Sequence, residues 1–121
     1  MSELIQLEKR DHIAILTIAN PPANTWTADS LAALEATIED LNADRNIFAL
    51  VVTGQGEKFF SAGADLKTFA DGDRARANEM AQKFGQAFAT LTAFRGVSIA
   101  AINGYAMGGG LECALSCDIR I

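Results

Sequence analysis

Apolar residues recur with the spacing of a helix face in two segments of the chain. The first segment follows residue 27, where Thr27 and Asp29 are the candidate helix caps. Its apolar face consists of Leu31, Leu34, Ile38 and Leu41. The second segment covers residues 73–94, and its apolar stripe consists of Met80, Phe84, Phe88 and Leu91. We interpret this stripe as a core face rather than as a cofactor-binding surface.

Short apolar runs around these helices predict strands. Residues 4–8 and 12–18 form a candidate hairpin. Residues 47–53 and 98–103 are apolar runs of the kind found in strands that are buried on both faces. The alternation of strand and helix predicts an α/β fold with a mostly parallel sheet. Because the chain stops inside a further predicted strand at residues 117–121, we expect it to be part of a longer protein.

Length, charge and the first residues exclude several classes of protein. The 121 residues, 50% of them hydrophobic, suffice for one domain or part of one. The net charge of −5 argues against binding to nucleic acid or to an anionic membrane surface. The apolar runs are too short to cross a bilayer, and residues 1–6 lack the features of an export signal. We therefore expect a cytoplasmic protein without a nucleic-acid partner or membrane insertion.

Cysteine and histidine, which are typical zinc ligands, are few in this chain. Cys113 and Cys117 lie four residues apart on the predicted last helix. The two alternatives are that they form half of a metal site or that they are small core residues. We favour the core interpretation and predict no metal site. The one histidine, His12, is predicted to be a surface residue.

Three consecutive glycines, at residues 108–110, connect the apolar run 98–103 to a predicted helix. Because glycine has no Cβ, a substrate oxygen can approach the backbone N–H groups, and the helix start adds further free N–H groups. This pattern predicts a cradle for an oxyanion, with Glu112 beside it as a proton-transfer group. The alternatives are a tight turn or a phosphate loop, and a glutamate that only stabilises the helix dipole.

A second segment of small residues lies within residues 55–64, which we predict to be irregular. Residues 61–64 leave the backbone accessible, and Lys67 follows with a positive charge. Taken alone, the segment is more typical of an ordinary loop with Asp65 as a helix cap. However, the carboxyl ends of parallel strands meet at one edge of a sheet. We therefore expect this segment and the glycine segment to aim two N–H donors at one carbonyl oxygen.

These segments together resemble the crotonase (enoyl-CoA hydratase/isomerase) superfamily, in the family's motif order and over the whole chain. The matching segments are Asn20-Pro21, Ala23-Asn24, and residues 50–54, 60–66, 100–104, 108–112 and 117–120. The resemblance implies a crotonase-like spiral of ββα units with mostly parallel buried strands. Residues 1–121 would be the N-terminal part of a single domain, truncated before the C-terminal helices.

The resemblance also implies roles for individual residues. Ala64 and Gly109 would donate their backbone N–H groups to the carbonyl oxygen of a coenzyme A thioester, while Glu112 would position and deprotonate water. The substrate-binding residues would be Ala62, Gly63, Asp65, Leu66, Lys67 and Gly108. A second catalytic glutamate would lie past Ile121, with helices that close the acyl pocket and build trimers or hexamers. No separate cofactor is implied, because coenzyme A is part of the thioester substrate.

The favoured function is an enoyl-CoA hydratase of fatty acid metabolism, which adds water to a 2-enoyl-CoA. The same residues suit a dehydratase of 3-hydroxyacyl thioesters, as in the branch that makes cis-2-unsaturated fatty acid signals. A third hypothesis is a non-catalytic acyl-CoA-binding module. That is the behaviour we expect of the 121 residues alone, which we expect to be inactive. A nucleotide-binding domain is disfavoured, because the glycines match neither the dinucleotide fingerprint nor the P-loop.

Overall fold

The computed structural model describes residues 3–69 and 72–121. Its strands are β1 (Ile5–Arg10), β2 (Ile13–Ile18), β3 (Ala49–Gly54), β4 (Phe59–Ser61), β5 (Val97–Ala100), β6 (Tyr105–Ala106) and β7 (Ile119–Arg120). Its α-helices are α1 (Ala28–Ala43), α2 (Arg74–Thr92) and α3 (Gly109–Ser116), and a 3₁₀ helix covers Leu66–Phe69. The predicted helices and the predicted hairpin are confirmed. Within the described ranges, no helix is both long enough and apolar enough to span a membrane.

The main sheet has the strand order β1-β2-β3-β5-β7. β1 and β2 form the antiparallel hairpin, and each further pair is parallel. Because parallel neighbours require a crossover, α1, α2 and α3 each connect one parallel strand to the next. This arrangement confirms the predicted α/β fold with a mostly parallel sheet.

The hydrophobic core lies between the helices and one face of this sheet. Leu50 and Val52 on β3 are fully buried with the apolar faces of α1 and α2. Their neighbours Ala49 and Val51 point to the other face and are only partly buried. The expectation that this strand is buried on both faces is therefore wrong for the described structure, because the helices pack against one face.

Two very short strands were missed in the segment predicted to be irregular and after the predicted strand 98–103. β4 pairs in parallel with β6 in a separate two-stranded sheet. The strand predicted over residues 98–103 ends at Ala100, although Ala101 still donates its N–H to the carbonyl of Val52 at 2.8 Å. Strands of two or three residues are too short to show an apolar period, so their pairing decides where they form.

The caps of the first two helices are local. Thr27, rather than Asp29, is the N-cap of α1, and its side chain accepts a hydrogen bond from the Ser30 N–H at 3.1 Å. Asp73 caps α2 by accepting from the Ala75 N–H at 2.9 Å. The first helix thus begins at one of its two predicted caps, and the second begins at the start of the predicted segment 73–94.

Candidate active site

One cavity of about 500 Å³ lies between α2 and α3. Both predicted N–H donors and the predicted proton-transfer group belong to its lining. The lining residues are Ala64, Ala77, Ala81, Phe84, Gly85, Phe88, Gly109, Glu112 and Ser116. The tertiary structure thus brings together Ala64, Gly109 and Glu112, which the sequence separates by a long helix and a strand.

Each predicted donor follows a glycine with a positive φ. Gly63, before Ala64, has φ +101°, and Gly108, before Gly109, has φ +53° with ψ −122°. L-residues with a side chain rarely adopt these conformations, so glycine sets the direction of the next N–H group in both segments. A Cβ on Gly63 would lie 3.0 Å from the backbone nitrogen of Gly109. The two segments are therefore in direct backbone contact.

The hydrogen bonds around Ala64 leave its own N–H available. The Trp26 N–H donates to the Gly63 carbonyl at 2.7 Å, and the Asp65 N–H donates to the Trp26 carbonyl at 3.1 Å. In such a parallel bridge, the residue between the two bonds points its N–H away from the partner strand. Across the described ranges, no group accepts a hydrogen bond from the N–H of Ala64 or of Gly109.

Ser61, at the end of β4, forms hydrogen bonds with both segments that carry the predicted N–H donors, Ala64 and Gly109. Its buried hydroxyl accepts from the Gly63 N–H at 3.2 Å, and its carbonyl accepts from the Met107 N–H at 3.0 Å. A Cβ on Gly110 would lie only 2.0 Å from that carbonyl oxygen. The first turn of α3 therefore packs directly against the backbone of the other segment.

Two asparagines hold the loops before the donor segments, and the sequence did not single out this role. Asn24 Nδ2 donates to the Phe59 carbonyl at 2.9 Å, and Asn103 Nδ2 donates to the same carbonyl at 3.0 Å. Asn24 also donates to the Gln55 carbonyl at 3.0 Å, and Asn103 to the Gly56 carbonyl at 2.9 Å. The available signal was that both side chains lie in turn-rich segments next to the predicted cradles.

Glu112 lies in the first turn of α3, where its side chain is exposed to the cavity. Its N–H donates to the Gly108 carbonyl at 3.0 Å, and its carbonyl accepts from the Ser116 hydroxyl at 2.8 Å. No side chain of the described residues forms a hydrogen bond or ion pair with its carboxylate. The carboxylate is therefore free to contact a molecule in the cavity beside the two N–H groups.

The remaining predicted substrate-binding residues lie outside the cavity lining. The Ala62 N–H is already used by the Ala23 carbonyl at 2.9 Å. Asp65 Oδ1 accepts from the Lys67 N–H at 3.0 Å at the start of the 3₁₀ helix, as in the alternative in which Asp65 is a helix cap. Leu66 and Lys67 are exposed next to the cavity residue Ala64.

The aromatic stripe of α2 forms both core and cavity wall. Phe88 packs edge-on against the fully buried Trp26 with ring centroids 5.7 Å apart, and Phe84 packs against Phe88 at the same separation. Phe84 and Phe88 also line the cavity. The core interpretation of the stripe is therefore correct for its buried edge and incomplete for the edge that faces the cavity.

Cys113 and Cys117 are free thiols buried beside the sheet, which confirms the core interpretation. Burial raises the pKa of the Cys113 thiol well above its ordinary value and raises the pKa of Cys117 to about 11. His12 is exposed and stacks on Phe48, with its Nδ1 2.7 Å from the Asn46 carbonyl. Within the described ranges, no three His, Cys, Asp or Glu side chains are grouped as metal ligands.

The fold is that of a crotonase-type α/β domain. Residues 8–121 match the enoyl-CoA hydratase/isomerase family, and the chain belongs to that family. This membership confirms the predicted superfamily and its fold.

Individual relatives agree with this assignment. The structure of Pseudomonas aeruginosa DspI is 68% identical and covers 98% of this chain with a TM-score of 0.97, using 45% of its own length. An enoyl-CoA hydratase structure from Bacillus anthracis is 30% identical with a TM-score of 0.94, over 98% of this chain and 46% of its own. A short-chain-enoyl-CoA hydratase of Clostridium acetobutylicum is 37% identical over 95% of this chain and 44% of its own length. The chain thus spans about half the length of the proteins it matches.

Proposed function

We propose that the protein to which this chain belongs adds water across the double bond of a 2-enoyl-CoA. The observation that carries the proposal is one cavity in which two backbone N–H groups and a neighbouring carboxylate have no hydrogen-bond partner among the described residues. The match to relatives named as enoyl-CoA hydratases supports it.

The two N–H groups suit the charge that develops during this reaction. When water attacks Cβ, the electrons of the double bond move onto the thioester carbonyl oxygen and form an enolate. Donors held in place by Gly63 and Gly108 need no reorganisation when that charge appears. Each such donor lowers the barrier by about 3 kcal/mol in enzymes that use the same device.

Glu112 is the proposed base for the attacking water. Its carboxylate accepts a proton from water while the water oxygen bonds to Cβ, and the enolate then takes a proton at Cα from a second acid. By the family resemblance, that acid lies beyond Ile121. A base must lie within hydrogen-bond reach of the water it activates, and the unpaired carboxylate of Glu112 faces the space beside both donors.

The coenzyme A part of the substrate is proposed to lie along residues 62–67. Lys67 is an exposed cation at the start of the 3₁₀ helix, on the same segment as the donor Ala64. An ammonium group there can attract a phosphate of the nucleotide. Leu66, also exposed, offers apolar surface to the adenine.

A dehydratase is the second candidate function. A relative named carnitinyl-CoA dehydratase, from Salmonella arizonae, is 39% identical over 100% of this chain and 46% of its own length. Because the forward and reverse reactions pass through one transition state, the same groups serve both directions. A 3-hydroxyacyl-CoA substrate distinguishes the branches, since an exclusively trans-2 product argues against a synthase of cis-2-unsaturated signals.

The test of the proposed function uses the protein expressed from its complete reading frame. The loss of the conjugated enoyl-thioester absorbance is followed with crotonyl-CoA and with trans-2-decenoyl-CoA. Glu112→Gln removes the base and keeps the size of the side chain, so it should abolish turnover. Glu39→Gln, on the exposed side of α1, is the matched control and should keep wild-type turnover. Equal rates for the wild type and Glu112→Gln would overturn the assignment of Glu112.

A further inference from the structure

Gly85 is the one glycine of this chain that neither its backbone conformation nor its packing explains. The chain has ten glycines, all of which the structure describes. Four have a positive φ, namely Gly56, Gly63, Gly72 and Gly108. In five others a Cβ would lie 2.8 Å or less from a neighbouring atom, namely Gly54, Gly96, Gly104, Gly109 and Gly110. A Cβ on Gly85 would have no atom of the described residues within 4 Å.

The position of Gly85 makes the absence of a side chain costly. It lies in the interior of α2, where glycine is less favourable than alanine. Because the described residues would accommodate a methyl group there, their packing does not require a glycine at this position. That space belongs to the cavity, since Gly85 is one of its lining residues.

Gly85 also lies close to the proposed reacting centre. The preceding residue, Phe84, packs against the oxyanion donor Gly109, where a Cβ would lie 2.8 Å from Phe84 Cε1. From Gly85 toward the start of α2, the lining continues with Ala81 and Ala77. These two residues are one and two helical turns away, so the three small residues follow about 12 Å of helix.

We propose that Gly85 determines the acyl-chain capacity of the site, and that the preferred substrates carry an extended apolar acyl group. This inference rests on the proposed function, because it assumes that a thioester carbonyl lies at Ala64 and Gly109. The acyl chain leaves that carbonyl, crosses Gly85 and continues along Ala81 and Ala77. The wall it meets consists of alanine, glycine and phenylalanine, which suits hydrocarbon.

The experiment measures binding, so that it does not depend on turnover. The dissociation constants of decanoyl-CoA and acetyl-CoA are determined by calorimetry for the protein expressed from its complete reading frame. The variants are Gly85→Leu, Gly85→Ala and Ala89→Leu. Ala89 is exposed one turn further along α2 and does not line the cavity, so Ala89→Leu is the matched control.

Gly85→Leu should weaken decanoyl-CoA binding about tenfold more than acetyl-CoA binding, because its side chain fills the space that the longer acyl group needs. Gly85→Ala should change the ratio in the same direction by less, with a melting temperature at or above that of the wild type. It therefore keeps the test decisive if Gly85→Leu fails to fold. Ala89→Leu should leave the ratio unchanged.

Three outcomes overturn the inference. One is an unchanged ratio in both Gly85 variants, and another is wild-type protein that binds neither acyl-CoA. The third is a shift of the ratio in Ala89→Leu as large as that in Gly85→Leu, because the effect would then not be specific to the cavity. If the Gly85 variants shift the ratio of the two dissociation constants but the protein does not hydrate enoyl-CoA, the role of Gly85 stands and the proposed hydratase function fails. If the protein hydrates enoyl-CoA but the ratio is unchanged, the proposed function stands and the role of Gly85 fails.

Discussion

Gly63 lies so close to Gly109 that a Cβ on Gly63 would be 3.0 Å from the backbone nitrogen of Gly109. These residues belong to segments that α2 and β5 separate along the chain. The contact explains how two loops become one site: Gly63 lets the other segment approach and directs the N–H of Ala64, while Gly109 carries the second N–H group. The geometry of the proposed oxyanion hole therefore depends on this contact.

Replacing Gly63 by alanine should damage both stability and activity. The positive φ costs an L-residue about 1–2 kcal/mol, and the new methyl group crowds the Gly109 nitrogen. Since a misplaced donor lowers catalysis about 100-fold, kcat/KM should fall by that order. Gly56→Ala is the control, because Gly56 has φ +86° with no neighbour within 4 Å. Equal loss of activity in the two variants would show that crowding at Gly109 is unimportant.

Replacing Gly110 by alanine should separate α3 from β4. The added Cβ would lie 2.0 Å from the Ser61 carbonyl oxygen, which belongs to rigid backbone. We expect the free energy of unfolding to decrease by about 1–3 kcal/mol. Urea denaturation measures this change, and Gly85→Ala is the control. Because Gly85 is a helical glycine with open space around its Cα, this control substitution should raise the free energy of unfolding by up to about 1 kcal/mol. A stabilised Gly110→Ala protein would contradict the packing described for α3.

Asn103 should contribute to stability through its amide rather than through its size. Its Oδ1 accepts from the Gly54 N–H at 3.0 Å, while its Nδ2 donates to the carbonyls of Gly56 and Phe59. Asn103→Ala should cost about 1–3 kcal/mol by leaving these groups unpaired. Asn103→Asp keeps the acceptor but turns a carboxylate oxygen toward two carbonyls, so its stability should fall further as the pH rises and the carboxyl ionises. Thermal unfolding of both variants at acidic and neutral pH checks these predictions. A melting temperature of Asn103→Asp that does not depend on pH would contradict the assigned contacts.

Arg95 should stabilise the connection between α1 and β3. Its guanidinium donates to the carbonyls of Asn42 at 3.0 Å, Asp44 at 2.7 Å and Ile47 at 3.0 Å. α1 has no basic residue in its last turn, so Arg95 supplies the positive charge at that end. Arg95→Ala should cost about 1–2 kcal/mol, and Arg95→Lys should recover little of it, because an ammonium lacks the planar fork. The exposed Arg45→Ala is the control, and an equal melting temperature for both alanine variants would contradict the prediction.

The two cysteines should make stability fall at alkaline pH. Burial raises the pKa of Cys117 to about 11 and that of Cys113 well above the ordinary thiol value of 9.0. The unfolded chain therefore releases thiol protons at lower pH than the folded chain, which favours unfolding. Their contribution is intact below pH 9.0 and is lost as the pH rises towards about 11.

Thiol labelling and alkaline denaturation check this prediction. At neutral pH the native thiols should react slowly with iodoacetamide and rapidly once the protein is unfolded. Cys117→Ala should reduce the dependence of stability on pH above 9.0. Rapid labelling of both thiols in the native protein would indicate that they are accessible.

The helices, the longer strands and the residue types of the site can all be predicted from the order of the amino acids. Caps such as Thr27 and Asp73 act within one helical turn, and the apolar spacing of α1 and α2 is a local property, so both are legible in the chain. The motifs around Ala64, Gly109 and Glu112 identified the family, and the structure placed all three residues on one cavity.

Features that depend on pairing between distant segments cannot be predicted in this way and are seen only in the folded protein. β4 and β6 are too short to have a period of their own and exist because they pair with each other. Asn24 and Asn103 gained a common partner, the Phe59 carbonyl, through folding alone. Gly85 could be distinguished from the other glycines only when the space around each was known. Local propensity depends on near neighbours in the chain, whereas the shape of a cavity depends on contacts that folding creates.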